Sequence, residues 1–294
     1  MFSERALSAP VETVRERHAP DALVLDTESD FETLDPAVAE DLGLLVDRLE
    51  PHRYPAAWLP DDAPALLSQY ASSDFTIGAP GDGSVVWTRQ TEPATVLVKP
   101  RIEGSPNAFV DFLLADAFVE LGLDVTVPGV EEDGVDAGGP GSPPPTSPPP
   151  EHFLGFFREH YPDLANATPL DPAGTYQLAA ALYDAWLGLH TRDVFAEWVG
   201  ADGEGGKGAD DDLAHLGDAW QDAGDRLEGR LDGLAGEVAR GETDFPDAAE
   251  LACAAVKHAL ELPAPYAALD TEAYRNRGAP FAVKWAEKTF EALE

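Results

Sequence analysis

The sequence predicts an α+β protein, with a small antiparallel sheet packed against helices in an N-terminal part and a mostly α-helical C-terminal part. Three observations carry this. Between residues 74 and 99, short alternating apolar segments are separated by turn residues. After residue 150, apolar residues recur at helical spacing with no further strand signal. Between the two, residues 128–150 (PGVEEDGVDAGGPGSPPPTSPPP) collapse to Pro, Gly, Ser and acid. The chain therefore divides into an α+β part at 1–127, a linker or insertion at 128–150, and a helical part at 151–294 with an acidic loop at 200–212.

The elements follow in order. Pro36–Glu50 places Val38, Leu42, Leu45, Val46 and Leu49 on one helical stripe. Asp74–Ala79, Ser84–Gln90 and Ala94–Lys99 read as a three-stranded meander, and Ala22–Asp26 as a fourth strand. Pro80-Gly81-Asp82-Gly83 is turn chemistry because Gly and Asp tolerate positive φ. Gln90–Pro93 is the second turn. A four-residue first turn sets Asp74 opposite Arg89; a two-residue turn sets Thr76 there. Alternation puts Val85, Trp87, Arg89, Val96 and Val98 on one face and Phe75, Ile77, Val86, Leu97 and Lys99 on the other. Both faces are apolar, so both are expected to be covered. Pro106–Gly122 is apolar nearly all round, which predicts burial on more than one side. Ser105 is its expected cap and Pro106 its first residue.

Helices are expected at Glu151–His160, from Asp171-Pro172 onward, at Asp211–Leu227, at Asp244–Leu262 and at Pro280–Leu293. In the second, Tyr176, Ala180, Tyr183, Leu187, His190 and Val194 form one stripe. Residues 142–150 (SPPPTSPPP) favour an extended polyproline conformation, suited either to a spacer or to recognition by a partner.

Charge says most about solvent. The 294 residues carry 55 acids against 19 bases, a formal net charge of -36. The excess is spread over both parts rather than gathered in a tail. Self-repulsion of this size opposes a compact state, and molar salt relieves it by cutting the Debye length to about 3 Å. With 44% hydrophobic residues and six Trp, the chain has enough apolar material to fold. A cytoplasm at molar salt is the expected setting, and the preference for Arg over Lys agrees with it. A single cysteine, Cys253, forms no internal disulfide, as in a reducing compartment. The first twenty residues contain acids and no apolar h-region, so no signal peptide is expected. No apolar run reaches the length of a membrane span, so no membrane partner is expected.

Several segments are familiar. MFSERALSAP, PGDGSVVWTRQ, ALYDAWLGLHTRDVFAEW, DAWQDAGDRLE, ELACAAVKHAL and FAVKWAEKTFEAL resemble a family of uncharacterised haloarchaeal proteins, a domain of unknown function. The resemblance implies a cytosol at molar salt. It brings no activity and no catalytic residues.

Candidate chemistry is sparse. The seven His form no His-Glu-x-x-His, Glu-x-x-His or paired-cysteine pattern, so no metal is expected. Asp212-x-x-His215 is the nearest approach, and an acidic helix start explains it. Cys253 and His258 lie about 140° apart around a helix and do not face each other. No nucleophile elbow or phosphate loop is present, so no nucleotide cofactor is implied. Nucleic acid is disfavoured by the charge.

Three groupings remain. Lys99 and Arg101 leave a strand just before the helix start at Ser105, where an anion would meet both cations and free N–H groups. Ion pairing with neighbouring acids is the competing expectation for them. His190 sits on an apolar stripe, where a hydrogen-bonded core role is expected; Asp184 or Asp193 would orient it if it acts as a general base. Asp116 and Glu120, one turn apart, are expected at a solvated edge; buried together they would have raised pKa values suited to acid–base work. The sequence thus points to a non-catalytic interaction or scaffold protein with an unidentified protein or small-molecule partner. The alternative is an unfamiliar enzyme using Lys99/Arg101 or His190.

Overall fold

A computed structural model of the chain describes residues 2–34, 37–38, 54–71, 77–79, 81, 83–125, 146–199 and 213–293. The expected helix Pro36–Glu50, the register at Asp74 and the loop 200–212 fall wholly or largely outside these residues.

Among the described residues the sheet has four strands, β1 (Phe2–Glu4), β2 (Leu23–Thr27), β3 (Val85–Thr88) and β4 (Thr95–Val98), in the order β1-β2-β4-β3. The β3–β4 hairpin pairs Val85 with Val98 and Trp87 with Val96, as alternation required. The fourth strand is present as β2. β4 also pairs in parallel with β2, so the sheet among the described residues is mixed. Of the expected first strand residues 77–79 are described, and among them Ile77 makes an isolated bridge with Leu34. Helix α1 (Ala9–His18) links β1 to β2.

Both faces are covered. Val24, Val96 and Val98 pack with Val11 and Val14 of α1 and with helix α3 (Asn107–Leu121). Leu97 and Val86 pack with Leu34 and Ile77 on the other face. Helix α2 (Ala65–Tyr70) lies outside the sheet and joins the helical core through Leu67 and Tyr70. Helix α3 begins one residue later than expected. Pro106 takes its N-cap position, and no side chain caps it, so Ser105 does not play that role.

The C-terminal part is helical, beginning with the short α4 (Phe153–Phe157) and α5 (Tyr161–Ala167). The 27-residue α6 (Pro172–Trp198) is the axis of the fold. Its start is fixed by Asp171, whose side chain accepts a bond from Gly174 N at 2.7 Å. Around it lie α7 (Ala214–Leu231), α8 (Leu234–Arg240), α9 (Phe245–Val256), α10 (Glu272–Arg277) and α11 (Ala279–Leu293). Helix α9 stops at Val256, short of the expected Leu262, because the chain turns through Ala259 at φ 53°. Close approaches explain two glycines. A Cβ on Gly188 of α6 would lie 3.0 Å from Lys257 N, and one on Gly217 of α7 would lie 2.5 Å from Trp198 O. Phe112 and Phe118 of α3 share an apolar cluster with Phe195, Trp198 and Trp220, so the sheet side and the helices pack continuously.

Candidate functional site

The residues singled out in the sequence are mostly engaged by other side chains of the fold. Arg101 Nη2 lies 2.7 Å from Asp30 Oδ1 and 3.2 Å from Glu32 Oε1. Its hydrogen bond holds Asp30 below the usual carboxylate range. Lys99 is buried, with Nζ 4.7 Å from the centre of the Phe31 ring. An anion arriving here would meet two carboxylates, without a capping hydroxyl from Ser105.

His190 is partly buried, 4.6 Å from Trp186 in an edge-on arrangement. Burial, reinforced by the charge of Arg275, lowers its pKa to about 4. Its Nε2 is buried without a hydrogen-bond partner. Neither carboxylate orients it: Asp184 is exposed on the helix, and Asp193 sits 3.6 Å from Arg275. The ring is neutral and a weak base. Cys253 is buried, and burial raises its thiol well above the ordinary value. His215 faces Asp111 at 3.6 Å, and Asp212 lies outside the described residues. Among the described residues, no group of three His, Cys, Asp or Glu side chains is placed to hold a metal ion.

Asp116 and Glu120 are not at a solvated edge. Lys257, just past the end of α9, donates to Asp116 Oδ2 at 2.8 Å and to Glu120 Oε1 at 3.0 Å. The three side chains retain only 13–20% of their exposure. Burial, with Glu120 adding and Lys257 opposing, pushes Asp116 up to about 6. Burial alone would lower Lys257, but the two carboxylates hold it protonated, above the ordinary lysine value. Asp116 Oδ1 is buried without a partner.

The cluster extends across the sheet edge. Trp87 Nε1 donates to Glu120 Oε2 at 2.7 Å. Arg89 stacks over Trp87 and donates to the carbonyls of Glu120 and Leu121, closing the C-terminus of α3. Arg89 Nη1 also reaches Pro149 O at 3.2 Å, and Tyr183 donates to Pro150 O. The end of the Pro-rich segment is therefore tied into the fold. Sequence separation hid Lys257 from view. A usable signal was present: a helix apolar all round must bury whatever carboxylates it carries.

The chain opens a different kind of surface beside α11. A groove of about 860 Å³ runs along this helix against residues 264–268. Phe281, Trp285 and Leu293 form its apolar wall, and Arg277, Lys284 and Lys288 line it; no Asp or Glu does. Lys284 pairs with its neighbour Glu287. Arg277 and Lys288 have no ion-pair partner among the described residues. A second cavity, of about 800 Å³, is lined by Glu237, Asp247 and Glu250 together with Arg230. Gln177 donates to Asp247 and Glu250, so their charge is partly satisfied.

No helix among the described residues is long and apolar enough to cross a membrane. Comparison with curated proteins and with solved structures returned no match. The family comparison did, over residues 1–293. The chain belongs to the family of unknown function DUF7089.

Proposed function

We propose that this chain is a non-catalytic interaction protein of a molar-salt cytosol, and that it meets its partner at the α11 groove. One observation carries this. In a chain of net charge -36, this groove is walled by apolar residues and three cations and by no carboxylate. Lys284 and Lys288 are exposed, whereas Lys99 and Lys257 are spent on internal contacts. Leu293 is 60% exposed at the groove's end. An apolar surface rimmed by charge of the rarer sign is suited to binding rather than to solubility.

Capture at molar KCl tests this, using the native chain beside a Leu293→Glu, Ala292→Glu variant and native mass spectrometry of what is retained. A protein retained by the native chain and lost from the variant supports the proposal. A metabolite or metal retained equally by both would overturn it.

A second reading, an acid–base centre at Asp116, is favoured by its raised pKa and unpartnered Oδ1. Lys257 and Glu120 occupy the approach, so a substrate would first have to break their contacts. Retention of a small molecule that Asp116→Asn abolishes would establish this reading.

A further inference from the structure

We infer that the occupant of the α11 groove is an acidic amphipathic helix; this rests on the groove being the binding surface. Lys284 and Lys288 are one helical turn apart and both line the groove; a partner carboxylate would share Lys284 with Glu287, whereas Lys288 has no ion-pair partner among the described residues. Their spacing along the axis is about 6 Å. Carboxylates at i and i+4 on a partner helix have that same spacing, so two helices packed side by side bring the charges into register. Arg277 supplies a third cation at the opposite end from Leu293.

The length of the groove points the same way. Its lining on α11 runs from Pro280 to Leu293, about 20 Å at 1.5 Å per residue. That exceeds a compact metabolite and fits a helix of about four turns. Phe281, Trp285 and Ala292 stand at i, i+4 and i+11 on one face of α11, with Lys288 at i+7 between them, an apolar stripe of the kind that receives the apolar face of a partner helix. A basic partner would leave Arg277 and Lys288 facing like charge, and a neutral one would cover them without pairing them. At molar salt only charges in contact still attract, so matched spacing counts for more than net charge.

The test uses the full chain carrying Glu291→Cys, exposed beside the groove but not part of its lining, labelled with an environment-sensitive dye; Cys253 is buried and does not compete for the label. Three probes are titrated at about 1 M KCl: a Leu/Glu amphipathic peptide of about 14 residues, its Leu/Lys analogue, and decanoate. The Glu peptide is expected to bind about tenfold more tightly than the Lys analogue, the value of a few exposed contact pairs. In the Lys284→Glu, Lys288→Glu variant this preference is expected to reverse, which shows that the variant is folded as well as altered. Binding of decanoate without either peptide overturns the helix and leaves the groove as the binding surface. Equal binding of both peptides overturns the charge register. Binding of no probe overturns both inferences.

Discussion

Lys257 Nζ lies 2.8 Å from Asp116 Oδ2, across 141 residues of sequence, and joins the end of α9 to the middle of α3. The pair fastens the helical part to the helix that covers the sheet. Lys257→Ala leaves Asp116 and Glu120 facing each other at low exposure with no cation between them. A loss of about 3 kcal/mol in chemical denaturation at molar KCl is expected. A change under about 0.5 kcal/mol would show that the cluster is solvated.

Asp116 also fixes a pH dependence. Its pKa in the fold is about 6, above its ordinary 3.8, so between these values the native chain holds a proton that the unfolded chain releases. Its contribution is present in full below the lower value and is lost as pH rises through about 6. Relative to Asp116→Asn, the native chain should therefore lose about 1–2 kcal/mol of stability between about pH 4 and about pH 6. A difference that stays flat over this range would contradict the assignment.

His190 and His258 carry the opposite sign. Burial lowers both to about 4. Their contribution is present above the ordinary value of 6.5 and is lost as pH falls toward about 4. Imidazole titration by NMR should place both midpoints near pH 4. A His190 midpoint near 6.5 would restore it as a general-base candidate.

How far these features could be read from the sequence depended on their range. The sheet faces were legible because Val96, Leu97 and Val98 alternate locally, and side-chain direction in a strand has a period of two. The parallel pairing of β2 with β4 was not, since alternation says nothing about which distant strand lies alongside. The short helices α8 and α10 lie in segments too brief for a periodic signal. Asp116 reads locally as a solvated-edge residue, because the cation that meets it, Lys257, lies 141 residues away in sequence. The groove left a trace: residues 277–294 hold three bases and three acids in a chain that is otherwise strongly acidic. Which of those bases would remain unpaired was a question only packing could answer.

Two glycines of α7 separate packing from propensity. Gly217→Ala drives a Cβ to 2.5 Å from Trp198 O and should cost about 1–3 kcal/mol. Gly229, with nothing within 4 Å of its Cβ position, should gain about 0.5–1 kcal/mol as Ala. Thermal melts of both variants check the pair; equal shifts would contradict the close crossing of α6 and α7.

Hydrogen–deuterium exchange with and without the acidic amphipathic peptide tests the proposed role of α11 most directly. Protection is expected in residues 263–268 and 277–293, with α3 and α9 unchanged. Protection centred on Asp116 and Lys257 would contradict the proposal and move the binding surface to the buried cluster.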